Sequence, residues 1–329
     1  MTRPAATADL LEDGGEAAVS DHFFRSREFL AAERATHTLR IDTEDGDALV
    51  APLLVREIEG TAERDAISPY GYPGLVPASE RSSARYAGTS APGAPGPPLD
   101  PAAIDFSATG LVSVFLRHTL DPPPLAGTTE RNVVQIADPA LAPKSRPSDR
   151  RQVRRNLEDG YELRLVPGAE TTPAERAGFL DLYEQTMRRT GAAPHYFFGA
   201  AYFDRILAPQ GTWLALATAP GGELAAASIA AVSDGFLHYY LSGSADARLR
   251  EAPMKNVVSR LVEHATELQL PLNLGGGLHR GDALEEFKRG FANRELPWHS
   301  SELVCDRAAY ERLGANRAGA GFFPAYRAP

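Results

Sequence analysis

Lys288 and the run Gly275-Gly276-Gly277 are the residues whose types and spacing best suit chemistry in this chain. Three glycines directly after a short apolar segment, Leu270 to Leu274, can bring backbone N–H groups close to an anionic or ester oxygen. Lys288 follows on the next segment, flanked by Phe287 and Phe291, where a partly desolvated ammonium could face a developing oxyanion. Only Lys144, Lys255 and Lys288 are lysines among 34 basic residues. An ammonium is a compact donor whose pKa can move, which a guanidinium cannot supply. Plain readings stand beside these. Glycine-rich strand-to-helix turns occur without any ligand, and a lysine between phenylalanines can snorkel from an apolar face.

The elements that must position these residues are legible around them. Phe236 to Leu241 is an apolar, strand-like run that stops at Ser242-Gly243-Ser244. Apolar residues then recur at Val257, Val258, Leu261, Val262, Ala265 and Leu268, a helical period. Leu270 to Leu274 reads as a second strand, and Asp282 stands where it would cap the helix carrying Lys288. Strand, helix, strand, glycine turn and helix make one crossover unit of an α/β sheet. On the first strand the period of two puts His238, Tyr240 and Ser242 on one face. For Tyr240 core packing is the favoured alternative.

The order YYLSGS, EAP before a helix, NLGGG and FKRGF resembles the Fem-type (FemABX-like) aminoacyltransferases, members of the GNAT superfamily. The resemblance continues upstream in DAISPYGYPG (Asp65–Gly74), SVFLRHTL (Ser113–Leu120) and RRQVRRNLEDGYEL (Arg150–Leu163), and covers about residues 20 to 313. It implies an α/β fold of two GNAT-like halves, each a mixed, mostly antiparallel sheet with flanking helices. It implies transfer of an amino acid from aminoacyl-tRNA to an acceptor amine, with no further cofactor. The ester is already activated, so the enzyme need mainly align the amine and stabilise the tetrahedral oxyanion. In the family the lysine of the FK-GF motif is associated with that stabilisation, and it matches Lys288. Tyr240 and Ser242 are placed near the acyl group as catalytic candidates. Asn273 and Gly275, Gly276 and Gly277 of the NLGGG motif, with Ser68, Tyr70, Tyr72 and Arg117, are the substrate-binding candidates, the last four on the acceptor side. The family also implies a cell-wall peptide acceptor. No long charged heptad segment suited to the helical arm of the large Fem enzymes is present, which leaves room for a small-molecule amine.

Length and composition set the frame. A chain of 329 residues, 43% hydrophobic and 23% charged, suits two domains of ordinary size. The expected division is a disordered segment 1–20, an N-terminal half 21–145, a C-terminal acyltransferase half 146–313 and a loose tail 314–329. The Pro- and Gly-rich stretch Pro77 to Pro101 reads as a mobile excursion. No run approaches a membrane span, and the acidic N-terminus has no signal-peptide pattern. With a single cysteine, Cys305, no internal disulfide can form, and the cytoplasm is the expected compartment.

A net charge of −9 argues against a general nucleic-acid binder. Lys144 to Arg155 is locally basic all the same, with Asp149 its one acid. If Ser148 or Asp149 caps a helix there, Arg151, Arg154 and Arg155 share one face. That face could meet the phosphates of a charged tRNA, or could be a solvated stripe neutralised by Glu158 and Asp159. The histidines show no metal-binding spacing, so no metal is expected, and no phosphate-loop or dinucleotide motif is present. The competing function is an acyl-CoA-dependent N-acyltransferase on the same fold, using acetyl-CoA or another acyl-CoA. Ordinary GNAT enzymes cradle the CoA pyrophosphate in a glycine-containing loop, and the equivalent SADARLREAPMK has no glycine.

Overall fold

Strand β1 (Ala6–Leu11) runs antiparallel to β2 (His37–Thr43), with Ala6 opposite Thr43 and Leu11 opposite Thr38. The expectation of disorder over residues 1–20 is therefore corrected for residues 5–20, residues 1–4 lying outside the described residues. ATADLL is poor in β-branched residues, so its strand character comes from burying Ala6 and Ala8 against a partner far along the chain. The computed structural model describes residues 5–79, 97–315 and 321–328, so most of the excursion expected over 77–101 lies outside the described residues. Helix α1 (Arg27–Glu33) is capped by Ser26, whose Oγ accepts from Phe29 N at 3.2 Å. β2 and β3 (Ala48–Glu57) form the expected hairpin, with Gly46 at φ 85° in its turn. β4 (Arg64–Ile67), β5 (Val76–Pro77), β6 (Ile104–Asp105) and β7 (Leu111–Arg117) follow, β4 and β7 being parallel.

β8 (Thr129–Ala137) carries the chain into a second unit, which comprises Asn132–Pro297. It holds α2 (Pro147–Glu158), β9 (Glu162–Pro167), α3 (Pro173–Thr190), α4 (Ala200–Ile206), β10 (Thr212–Thr218), β11 (Leu224–Ser233) and β12 (Phe236–Ser244). After these come α5 (Met254–Leu268), β13 (Leu272–Asn273), α6 (Ala283–Arg289) and β14 (Arg294–Val304), which returns the chain to the first unit, where α7 (Arg307–Gly314) follows. The expected domain boundary near residue 145 is thus moved. The units divide at 131/132 and 297/298, and the C-terminal residues belong with the first unit. β14 is one unbroken strand, so no change of composition marks the second division. The tail is not loose where it is described: Tyr326 is buried, its hydroxyl 2.7 Å from Ser113 Oγ.

In the second unit β9, β10, β11 and β12 pair antiparallel in that order, and β12 pairs parallel with β13 through the α5 crossover. β11 is buried almost throughout and rich in alanine, so helices pack closely on it. Both α3 and α5 contact it. The core on the α5 side joins Val257, Val258, Leu261 and Ala265 to Leu237, Leu272 and Phe291. In the first unit Leu39, Ile41, Leu53, Val114 and Leu116 form the corresponding core.

Candidate active site

The β12–α5–β13 crossover delivers the glycine corner, and α6 delivers the lysine. Asp282 caps α6, accepting from Glu285 N at 2.8 Å, and also accepts from Leu278 N at 2.7 Å and His279 N at 3.0 Å. This clamps the loop between corner and helix, and it accords with the expected cap. Lys288 is buried, and its Nζ donates to Gly276 O at 2.6 Å. A Cβ added to Gly275, which has φ 74°, would lie 3.1 Å from that Nζ. The ammonium thus sits against the bare backbone that a side chain would occupy. Burial pushes the Lys288 pKa down to about 8, with Asp282 pulling the other way.

The carbonyls of the corner are all engaged. Gly275 O accepts from Gln135 N at 3.1 Å and Gly277 O from Asn132 Nδ2 at 2.7 Å. The N–H groups of Gly276 and Gly277 donate to no described residue. Gly275 N–H donates to Asn273 Oδ1 at 2.8 Å, and Asn273 Nδ2 lies 3.1 Å from His238 Nδ1. Burial pushes the His238 pKa down to about 4, so the ring is neutral at pH 7. Its Nε2, 3.2 Å from Ser233 O, must carry the proton, which leaves Nδ1 to accept from Asn273. A buried relay therefore fixes the first glycine.

The structure separates Tyr240 from Ser242. The register of β11 against β12 shifts between Ile229 and Ala230, which pair with Leu241 and Tyr239, so Tyr240 is the extra residue of a bulge. The even alternation expected across His238, Tyr240 and Ser242 is broken there. Ser242 Oγ accepts instead from the Tyr239 hydroxyl at 2.6 Å, and the Tyr240 hydroxyl meets that of Tyr202 at 3.0 Å. Burial pushes the Tyr239 pKa up to about 12. Asn132, Gln135, Tyr202 and Tyr239 escaped the sequence reading because each is placed by pairing or helix packing rather than by a local motif.

In the first unit Ser68 and Arg117 are brought together. Ser68 Oγ accepts from Arg117 N at 2.8 Å, and Ser68 O accepts from Arg117 Nη1 at 2.7 Å. The Arg117 guanidinium stands over the Phe115 ring, 5.3 Å from its centroid. Tyr70 faces outward, with its N–H bonded to Glu33 at 2.9 Å. Tyr72 packs between Phe24 and Trp298, centroids 5.4 and 5.9 Å away, and so shapes its loop.

Helix α2 begins with Arg146 at the N-cap and Pro147 at the first turn, not with Ser148 or Asp149 as caps. Asp149 is buried and pairs with Lys255 at 2.8 Å. Arg151, Arg154 and Arg155 are exposed, and their side chains make no hydrogen bond or ion pair with a described residue. Glu158 and Asp159 do not neutralise them. Among the described residues no three His, Cys, Asp or Glu side chains gather as metal ligands would, and no helix is long and apolar enough to cross a membrane.

Residues 144–289 match a family model described as an acetyltransferase (GNAT) domain. That segment contains α2, the crossover, the glycine corner and Lys288. The fold of the whole chain is similar to that of FemX, at 10% identity and a TM-score of 0.60, covering 92% of this chain and 99% of that one. It is also similar to the C-terminal domain of a protein named as a lysylphosphatidylglycerol synthetase from Agrobacterium fabrum, at 13% identity and a TM-score of 0.52, covering 90% of this chain and 92% of that one. L-PGS from Bacillus licheniformis is similar at 12% identity and a TM-score of 0.50, covering 82% and 85%. No curated protein matches the chain. The architecture is mixed α/β in two compact units, and the GNAT-like match falls in the second of them.

Proposed function

We propose that this protein is an aminoacyltransferase that moves an amino acid from aminoacyl-tRNA to an amine of a small-molecule or peptide acceptor. One observation carries the reading: a buried lysine held 2.6 Å from Gly276 O, on a corner whose Gly276 and Gly277 N–H groups have no described partner. An ammonium has three donors, so two remain after that bond. In the reaction the acceptor amine attacks the ester carbonyl, a C–N bond forms and the carbonyl electrons move to oxygen. The tetrahedral intermediate collapses by expelling the ribose oxygen, and the amine's proton passes to it through the substrate or a water. Lys288 and the glycine N–H groups meet the oxyanion in this scheme. Ser68, Tyr70 and Arg117 serve the acceptor side, and Tyr72 holds their loop in shape.

The donor assignment is supported by the start of α5, where an ordinary GNAT enzyme would hold a pyrophosphate. Asn156 is buried there and donates to Glu251 O at 2.9 Å and Asn256 Oδ1 at 2.6 Å. The Glu251 carboxylate, bonded by the Tyr161 hydroxyl, adds negative charge. The neighbouring cations Lys255 and Arg248 are already paired with Asp149, Glu223 and Glu251. A diphosphate would meet carboxylates and filled space. The open arginines of α2 suit a tRNA backbone instead. The likeness to a lysylphosphatidylglycerol synthetase, whose name describes an amino acid joined to a lipid headgroup, supports aminoacyl transfer too. The cytoplasm, where charged tRNA is found, is the compartment this reading assigns.

The test is a transfer assay offering charged tRNAs and acyl-CoAs in parallel to a panel of amines. The expected result is labelled amino acid on an amine with charged tRNA alone. Transfer from an acyl-CoA but from no charged tRNA would overturn the donor.

A further inference from the structure

The first unit contains a cavity of about 620 Å³ that the proposed transfer does not use. Its lining includes Arg56, Phe115, Phe322, Phe323 and Arg327. Beneath it Asp65 is fully buried and accepts from Arg56 Nε at 2.9 Å and from Arg327 Nη2 at 3.0 Å, with Arg327 Nε bonded to its other oxygen. One carboxylate therefore orients two guanidiniums, an arrangement that leaves one positive charge over. Both Nη groups of Arg56 and Nη1 of Arg327 donate to no described residue. The Phe115 ring is itself held by guanidiniums, Arg117 and Arg131 each lying 5.3 Å from its centroid. Arg131 is paired with Glu302. Among the described residues Glu59 is the one carboxylate in the cavity lining, and it is exposed.

The walls are as specific as the charge. Phe323 stacks on Tyr310 at 5.8 Å and faces Phe115 at 6.4 Å, while Phe322 is 49% exposed. The exposed ring of Phe322 and the unengaged guanidinium donors of Arg56 and Arg327 set an apolar face beside hydrogen-bond donors on one wall. A planar group carrying an oxyanion would satisfy both, stacking on the rings while the arginine forks take its oxygens. The size falls within the range of small-molecule sites.

We propose that this cavity binds a small aromatic or heteroaromatic anion, a ring bearing a phosphate or carboxylate. The site goes beyond the transfer reaction and does not depend on it, because its test uses neither tRNA nor turnover.

The test is calorimetric titration of the full chain at low salt with phenyl phosphate, benzoate and inorganic phosphate. Saturable one-site binding of phenyl phosphate or benzoate is expected, and whichever binds tighter identifies the anionic group. Inorganic phosphate should bind at least about tenfold more weakly for want of the ring contacts. Arg56→Met should lower affinity about tenfold or more, as loss of a charge-assisted bond does. That variant keeps the Arg327–Asp65 pair, so its melting temperature should stay near the wild type. Phe322→Ala, at an exposed position, should lower affinity several-fold without unfolding the chain. Absence of saturable binding by either aromatic anion would overturn the proposal. So would affinity unchanged in both variants, or inorganic phosphate binding as tightly as phenyl phosphate.

Discussion

The two units each hold a glycine-rich loop directly after a strand, Ser68–Gly74 behind β4 and Gly275–Gly277 behind β13, and the two are used in opposite ways. In the first, side chains occupy the room the glycines leave. A Cβ on Gly71 would lie 2.5 Å from the Phe24 ring, and one on Gly74 would lie 2.6 Å from Thr119 Cγ2. Arg25, itself fully buried, donates to Pro73 O at 2.8 Å and closes the loop from beneath. In the second, the room at Gly275 is met by an ammonium, and two successive N–H groups have no described partner. Composition alone cannot tell these cases apart. What separates a packed loop from a reactive one is whether its neighbour is a hydrocarbon or a donor, and whether its N–H groups are engaged.

The comparison breaks most visibly at Lys288. Replacing it with methionine should cut turnover by roughly 10²–10³-fold, the usual cost of one oxyanion donor. The same change should stabilise the fold. A buried lysine whose pKa falls from 10.5 to about 8 opposes folding by up to about 3 kcal/mol at neutral pH. The sign follows from proton binding: between the two values the unfolded chain holds the proton and the folded one has released it, so wild-type stability rises with pH across that window. The penalty is full below pH 8 and gone above 10.5. Denaturant unfolding of wild type and Lys288→Met at pH 7 and pH 10 checks this; a variant that is less stable at pH 7 would contradict it.

Gly275→Ala and Gly71→Ala sharpen the contrast. Both positions have positive φ, 74° and 98°, so each change strains the backbone by about 1 kcal/mol or more. Gly275→Ala should also push against Lys288 Nζ, lowering kcat about tenfold or more while leaving the melting temperature close to what strain alone gives. Gly71→Ala should lower the melting temperature further, through Phe24, with turnover per folded molecule little changed. Equal kcat losses in the two variants would erase the distinction. The smallest effect belongs to α2. Arg151, Arg154 and Arg155 changed together to Ala should weaken tRNA binding several-fold at moderate salt and flatten its salt dependence, each lost phosphate contact removing roughly 0.7–0.9 from the log–log slope. An unchanged slope would make that helix ordinary surface.

Much of the second unit was legible because its signals are local. The helical period of Val257 to Leu268 and the cap at Asp282 each depend on residues a few positions apart, and both are found as expected. What escaped depends on distant partners. The bulge at Tyr240 is set by the register of β11, and nothing in FLHYYLSGS announces it. β1 exists because β2 pairs with it. The start of α2 differs for another reason: Pro147 takes the first helical position behind Arg146, so the polar Ser148 and Asp149 fall inside the first turn instead of capping it.

The most direct test of the central claim is the pH dependence of kcat for transfer, in wild type and in Lys288→Arg. If the ammonium stabilises the oxyanion, wild-type kcat should fall as pH rises through about 8, where burial makes Lys288 lose its proton. The arginine variant, slower throughout, should show no such fall up to pH 10, because a guanidinium keeps its charge. Identical profiles in the two proteins, or undiminished kcat at pH 9.5 in the wild type, would contradict the account.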